Sequence, residues 1–185
     1  MGRGRAVHLQ YQTITHMKKP IIRSNVSPLA LPQLFTAGRA VLTFKNTEKD
    51  THMTIRSKQL IDRNTKERKP IFFVSVSLLG DQETGFRFAG TWFSDTKSYK
   101  LHNSVQAGSQ VHKVMEFLKA ALITPEILRQ RKVSLLHEGR CVRCGLPLTN
   151  PESISIGLGS DCLEHQMAAS KEYNAEFFKY NPEEA

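Results

Sequence analysis

Three cysteines and one histidine carry the clearest chemistry in this sequence. They fall in the spacing Cys141-x2-Cys144, then seventeen residues, then Cys162-x2-His165. Two such pairs are the ligand grammar of a structural zinc site, so Zn2+ is the cofactor the spacing predicts. Gly145, directly after the first pair, permits the left-handed turn of a zinc knuckle and so lets both thiols converge on one cation. Asp161 fits a helix N-cap with Glu164 three residues on, as in a capping box, which puts Cys162 and His165 on one face of a first helical turn. The positive end of that helix favours the Cys162 thiolate. His137, four residues before Cys141, is an alternative fourth ligand, and Asp161 is a third. The competing chemistry is a redox dithiol at Cys141 and Cys144. Such a pair usually follows a strand in a βαβ unit, and no such unit is visible around Cys141.

Around these residues the segment 137–162 resembles an uncharacterised zinc-finger-like domain found mainly in bacteriophage proteins, with a core of the form H-x-G-x-C-x-x-C-G-R-x-L-T-x-P-x-S-I-x-x-G-x-G-P-x-C. The chain matches it at His137, Gly139, Cys141, Cys144, Gly145, Leu148, Thr149, Pro151, Ser153, Ile154, Gly157, Gly159 and Cys162. It departs at Leu146, where the family usually has arginine, and at Ser160, where it usually has proline. The resemblance implies a phage-encoded protein and strengthens His137 as a ligand candidate. It brings no function, because that family has none assigned. Members often carry an upstream β-rich segment resembling Phe35-Thr36-Ala37-Gly38.

The elements that must position the motif point to an α+β fold. From Phe35 to Asn103 the pattern has period two: Ala40, Leu42 and Phe44, then Met53 and Ile55, then the apolar run Ile71 to Leu79, then Phe86, Phe88 and Trp92, then Tyr99 and Leu101. This predicts an antiparallel meander of about five strands, packed through one face. Phe86, Phe88 and Trp92 share a parity and are expected in its core, leaving Arg87 and Phe93 for the exposed side. Exposed aromatics beside basic residues on a sheet would instead offer a stacking platform for single-stranded nucleic acid. Val111, Val114, Met115, Leu118 and Leu122 form the stripe of a helix over 109–122 that covers the sheet. Thr124-Pro125 opens a second helix to about Lys132, and a last helix runs from the finger to Tyr180. Prolines at 20, 28 and 32 predict an extended or disordered basic arm over 1–32, followed by a β-meander with helices over 33–132. Residues 133–185 complete the chain as a treble-clef-like zinc finger with a C-terminal helix.

The charge is unevenly placed. The formal net charge is +9, and residues 1–79 hold 14 Lys or Arg against 4 Asp or Glu, while residues 80–185 hold 12 against 13. That asymmetry predicts an anionic partner met by the N-terminal half, with nucleic acid, DNA or RNA, as the default. Arg3, Arg5, Lys18, Lys19, Arg23, Arg87 and Arg143 are the candidate contacts. The alternative is a protein-interaction module that engages a host enzyme or defence component through the finger and the aromatics Phe177, Phe178 and Tyr180. A nucleophile elbow, a phosphate-binding glycine loop with lysine and a metalloprotease helix are all missing from the sequence, so a non-enzymatic role is expected and no small-molecule substrate is evident. With no apolar run of eighteen residues and no secretory leader, the expected place is the cytoplasm, of an infected bacterium if the chain is phage-encoded.

Overall fold

The computed structural model describes residues 23–78, 85–169 and 175–182. In chain order the elements are β1 (Ser24–Val26), a 3-10 turn (Pro28–Ala30), α1 (Leu31–Thr36), β2 (Val41–Asn46), β3 (Thr51–Ile61), β4 (Arg68–Ser77), β5 (Arg87–Phe93) and β6 (Ser98–Leu101). There follow α2 (Gln110–Ile123), α3 (Ile127–Gln130), β7 (Val133–His137), α4 (Pro151–Ile156), α5 (Ser160–Ala169) and α6 (Ala175–Phe178). The strands form one seven-stranded sheet in the order β1-β7-β2-β3-β4-β5-β6, and every neighbouring pair is antiparallel. The α+β architecture predicted from the alternating pattern is therefore present.

One sheet face builds the core. Leu42, Phe44, Ile55, Phe72, Val74, Val76, Trp92 and Leu135 are buried along it, as period-two alternation requires of strands half-covered by helices. The predicted stripe of α2 docks there through buried Val114, Met115, Leu118 and Leu122, and Phe117 meets Phe44 edge-on at 6.1 Å between centroids. The Ser109 hydroxyl caps α2 by accepting the His112 N–H. Helix α1 adds Phe35, whose ring lies 6.0 Å from that of Phe72. The buried Ser57 hydroxyl donates to the Phe35 carbonyl at 2.7 Å, so α1 is held by a satisfied polar contact as well as by apolar packing.

Four expectations fail for identifiable reasons. Residues 24–32 are not an extended arm: β1 pairs with β7, and Val26, Ala30 and Leu31 are fully buried. Pro28 and Pro32 occupy the opening positions of the 3-10 turn and of α1, where a missing N–H costs nothing, so they start helices instead of preventing them. Residues 1–22 lie outside the described residues. Phe35, assigned to the sheet, belongs to α1. Val133–His137, expected to open a separate finger, is an interior strand between β1 and β2. The helix placed over 124–132 shrinks to Ile127–Gln130, because Thr124 is spent as the C-cap of α2, with its N–H on the Ala120 carbonyl.

A fifth correction concerns the opposite face. Val74 pairs with Gly90 but Ser75 with Phe88, so Ala89 is an extra residue and β5 carries a bulge. A bulge reverses side-chain parity beyond it. Trp92 therefore stays in the core while Phe88 turns outward and is 39% exposed. Arg87 is exposed as expected, but it pairs with Val76 and so stands on the helix side.

Candidate metal centre and the sheet face beside it

Past β7 the chain makes a tight knuckle. Arg140 bridges to Pro147, Cys141 N–H donates to the Leu146 carbonyl at 2.9 Å, and Gly145 N–H donates to the Cys141 carbonyl at 2.8 Å. Gly145 holds φ +81° there, the left-handed conformation predicted for it. The knuckle is fastened to the body through Val142, which donates to Gly157 at 3.0 Å and accepts from Arg39 at 2.6 Å. Gly38 makes that approach possible, since a side-chain carbon on it would fall 2.8 Å from the Arg143 carbonyl oxygen.

Helix α4 lies between the Cys141–Cys144 knuckle and Cys162. Its start is built by the Asn150 side chain, which accepts the Glu152 N–H at 2.8 Å, with Pro151 behind the cap and the left-handed Gly157 ending it. Helix α5 begins at Ser160, two residues earlier than a cap at Asp161 would give, and Asp161 sits inside its first turn. This brings Cys162 onto the knuckle. The sulfurs of Cys141, Cys144 and Cys162 all lie within 4.8 Å of one another. Three sulfurs on a tetrahedral zinc, with bonds of about 2.3 Å, stand about 3.8 Å apart, so the thiols fit such a cation with only side-chain adjustment.

Their acidities fit the same role. Burial pushes the Cys141 thiol up, but hydrogen bonds from the Gly159, Cys144 and Arg143 backbone and the Cys144 side chain outweigh it, and the net shift is downward. Cys162 is pushed up to about 12, first by burial and then by the Cys141 and Cys144 thiols. Three crowded thiols resist joint ionisation, and a bound dication supplies the charge that overcomes this resistance.

The histidines separate. His137 is fully buried; its Nε2 lies 2.6 Å from the Ile154 carbonyl oxygen and its Nδ1 accepts the Gly139 N–H at 3.1 Å. Both ring nitrogens thus face backbone partners, and His137 lies outside the three-thiol group. Burial lowers its pKa, opposed by backbone bonds at Ile154 and Arg140. His165 is exposed and lies outside the three-thiol group.

Of the candidate phosphate contacts, Arg3, Arg5, Lys18 and Lys19 lie outside the described residues. Arg23 is exposed at the start of β1, and Arg143 is half-buried in the knuckle. The residues that the sequence reading missed lie on the sheet face opposite the helices. Direct pairing runs Val41 to Arg56, Arg56 to Ser75 and Ser75 to Phe88, and in the next row Lys58 to Phe73, Phe73 to Thr91 and Thr91 to Lys100. Paired residues share a face, so these two rows lie side by side. Phe73 and Phe88 are each 39% exposed with centroids 6.3 Å apart. His102 meets Phe88 edge-on at 5.2 Å, and the Arg56 guanidinium lies 4.1 Å from the centre of the Phe86 ring. The alternation of Arg56 and Lys58 with Ile55 and Ser57 was a usable signal. Phe73 was hidden in an apolar run, and Phe88 by the bulge.

Glu138 is the acidic exception at the end of these rows. Burial raises its pKa against the pull of Arg23, Arg56 and Arg140.

Residues 136–166 match a family described as a family of unknown function, DUF6011. The match covers the end of β7, the knuckle, α4 and the Cys162-bearing turn of α5, which is the part of the chain that builds the thiol cluster. No curated protein and no solved structure matches the chain. No helix among the described residues is long and apolar enough to cross a membrane.

Proposed function

We propose that the chain is a non-enzymatic, zinc-stabilised protein that binds single-stranded nucleic acid on the sheet face opposite α2. The observation that carries this reading is the pair Phe73 and Phe88, exposed side by side in rows that also present Arg56, Lys58 and Lys100. Bases stack on such rings whatever their sequence, at about 1–3 kcal/mol each, while the cations neutralise the backbone. Aromatics exposed on a sheet stack on unpaired bases, so a single strand, RNA or DNA, is the fitting partner. In this reading zinc has no catalytic part: Cys141, Cys144 and Cys162 hold it with His165, which one helical turn places on the Cys162 face. The resemblance to a phage domain supports an accessory protein working in the cytoplasm of an infected cell.

One observation favours a protein partner instead. Leu146 at the knuckle tip is 67% exposed, an apolar group where a nucleic-acid contact would use a cation. Fluorescence anisotropy with a labelled single strand, a duplex of the same sequence and a salt series decides between the two. Preferential single-strand binding that weakens with a log-log slope of about 0.7 per phosphate supports the platform. No binding at low salt leaves the protein-partner reading standing.

A further inference from the structure

Between β2, β3 and the knuckle, on the same sheet face, lies a cavity of about 280 Å3 lined by Arg39, Arg56, Lys58, Glu138, Arg140 and Gly145. The four lining cations among the described residues are exposed. Its one carboxylate is half-buried, and the Oε1 atom of Glu138 is shielded from solvent without a hydrogen-bond partner among the described residues. Two features therefore suit one ligand. The cations call for an anion, and a buried acceptor lacking a donor is a cost that an N–H or O–H group removes.

We propose that this cavity is a mononucleotide subsite of the strand-binding face, in which Arg39, Arg56, Lys58 and Arg140 hold a phosphate and Glu138 accepts a hydrogen bond from the attached nucleoside. The inference rests on the reading of the sheet face as a nucleic-acid platform and names what its end recognises. A free phosphate would satisfy the cations but meet Glu138 as a like charge. A nucleotide satisfies both, because its base amino or imino group, or its sugar hydroxyl, is a donor beside the phosphate. The volume falls just under the roughly 300 Å3 at which pockets begin to enclose whole drug-sized ligands, which suits one nucleotide and excludes two. Arg56 and Lys58 also link the cavity to the aromatics, through the Phe86 ring at 4.1 Å and the direct pairing of Lys58 with Phe73. A strand leaving the subsite thus runs onto Phe73 and Phe88.

The test uses the full chain loaded with zinc, titrated by NMR with inorganic phosphate and with each of the four nucleoside monophosphates. Arg39→Ala and Lys58→Ala, both at exposed positions, each weaken every phosphate ligand by about tenfold, the loss of one charge-assisted hydrogen bond. Glu138→Ala is the discriminating variant: it tightens inorganic phosphate and loosens the nucleotides. Tightening of both ligand classes, or nucleotide affinity unchanged in Arg39→Ala and Lys58→Ala, overturns the subsite. Phe73→Ala with Phe88→Ala leaves mononucleotide binding intact while weakening an oligonucleotide. Mononucleotide binding with the predicted Glu138 response but no oligonucleotide binding supports the subsite and removes the platform. Oligonucleotide binding that excess mononucleotide does not compete with removes the subsite and keeps the platform.

Discussion

His137 and Ile154 are joined by a 2.6 Å contact between the imidazole Nε2 and the backbone carbonyl oxygen, which ties the end of an interior strand to the helix between the knuckle and Cys162. Because Nδ1 accepts from Gly139, Nε2 must carry the proton, and the ring is a neutral structural bridge. His137→Phe should therefore retain zinc and lose about 1–3 kcal/mol of stability, the cost of unpairing buried groups. Nitrogen-detected NMR should show the Nε2–H tautomer. Zinc loss in a folded His137→Phe protein would contradict this assignment.

The pH dependence follows with a definite sign. His137 has a lowered pKa in the folded protein, so below the ordinary value of about 6.5 the unfolded chain binds a proton that the native ring refuses. Stability should fall as pH drops through that value and level off once the native ring is protonated. The urea midpoint should drop more between about pH 7.5 and about pH 5.5 in wild type than in His137→Phe. Equal drops would assign the effect to other groups.

Zinc removal should reach the sheet. Structural zinc sites contribute apparent binding free energies of about 10–16 kcal/mol, and here the knuckle continues directly from β7 and is bonded to Arg39 and Gly157 through Val142. A chelator should lower the melting temperature of the whole molecule and expose amides of β7 and β2 to hydrogen exchange. Cys141→Ser should do the same, and His165→Ala should weaken metal retention with a smaller structural effect. Exchange confined to residues 138–169 would show that the finger unfolds alone.

Two glycines near the centre should respond differently to alanine. At Gly38, φ is +146° and an added carbon would meet Arg68 Nη1 at 2.7 Å and the Arg143 carbonyl oxygen at 2.8 Å. At Gly145, φ is +81° and the nearest atom is Arg39 Cδ at 3.8 Å. Gly145→Ala should cost about 1 kcal/mol of backbone strain, and Gly38→Ala about 1–3 kcal/mol, because strain and overpacking add. Denaturant unfolding that ranks them the other way would contradict the close approach.

What the sequence disclosed depended on how local the signal was. Cys141, Cys144 and Cys162 were legible because ligand spacing survives without knowledge of the fold. The α2 stripe and the core parity of β2 to β4 were legible because periodicity is local too. Strand β7 was not: five residues between a helix and a knuckle carry no pattern of their own, and their place in the sheet comes from pairing with β1 and β2. The Asn150-Pro151 start and Gly157 stop of α4 were readable signals left unread. Phe88 was out of reach because one extra residue, Ala89, reverses parity and leaves no mark in composition. His137 had ligand spacing, and only tertiary structure shows both its nitrogens taken by the backbone.

The most direct measurement is single-strand affinity of the Phe73→Ala, Phe88→Ala double variant, read by anisotropy at fixed low salt beside wild type. Both side chains are substantially exposed, so folding and zinc content should be unchanged. Loss of two stacking contacts at about 1–3 kcal/mol each should weaken binding by roughly thirtyfold or more. The salt slope should stay the same, because no cation is removed. Wild-type affinity in a folded, zinc-loaded double variant would contradict the account: the strand would then bind elsewhere, or the aromatic face would serve another partner.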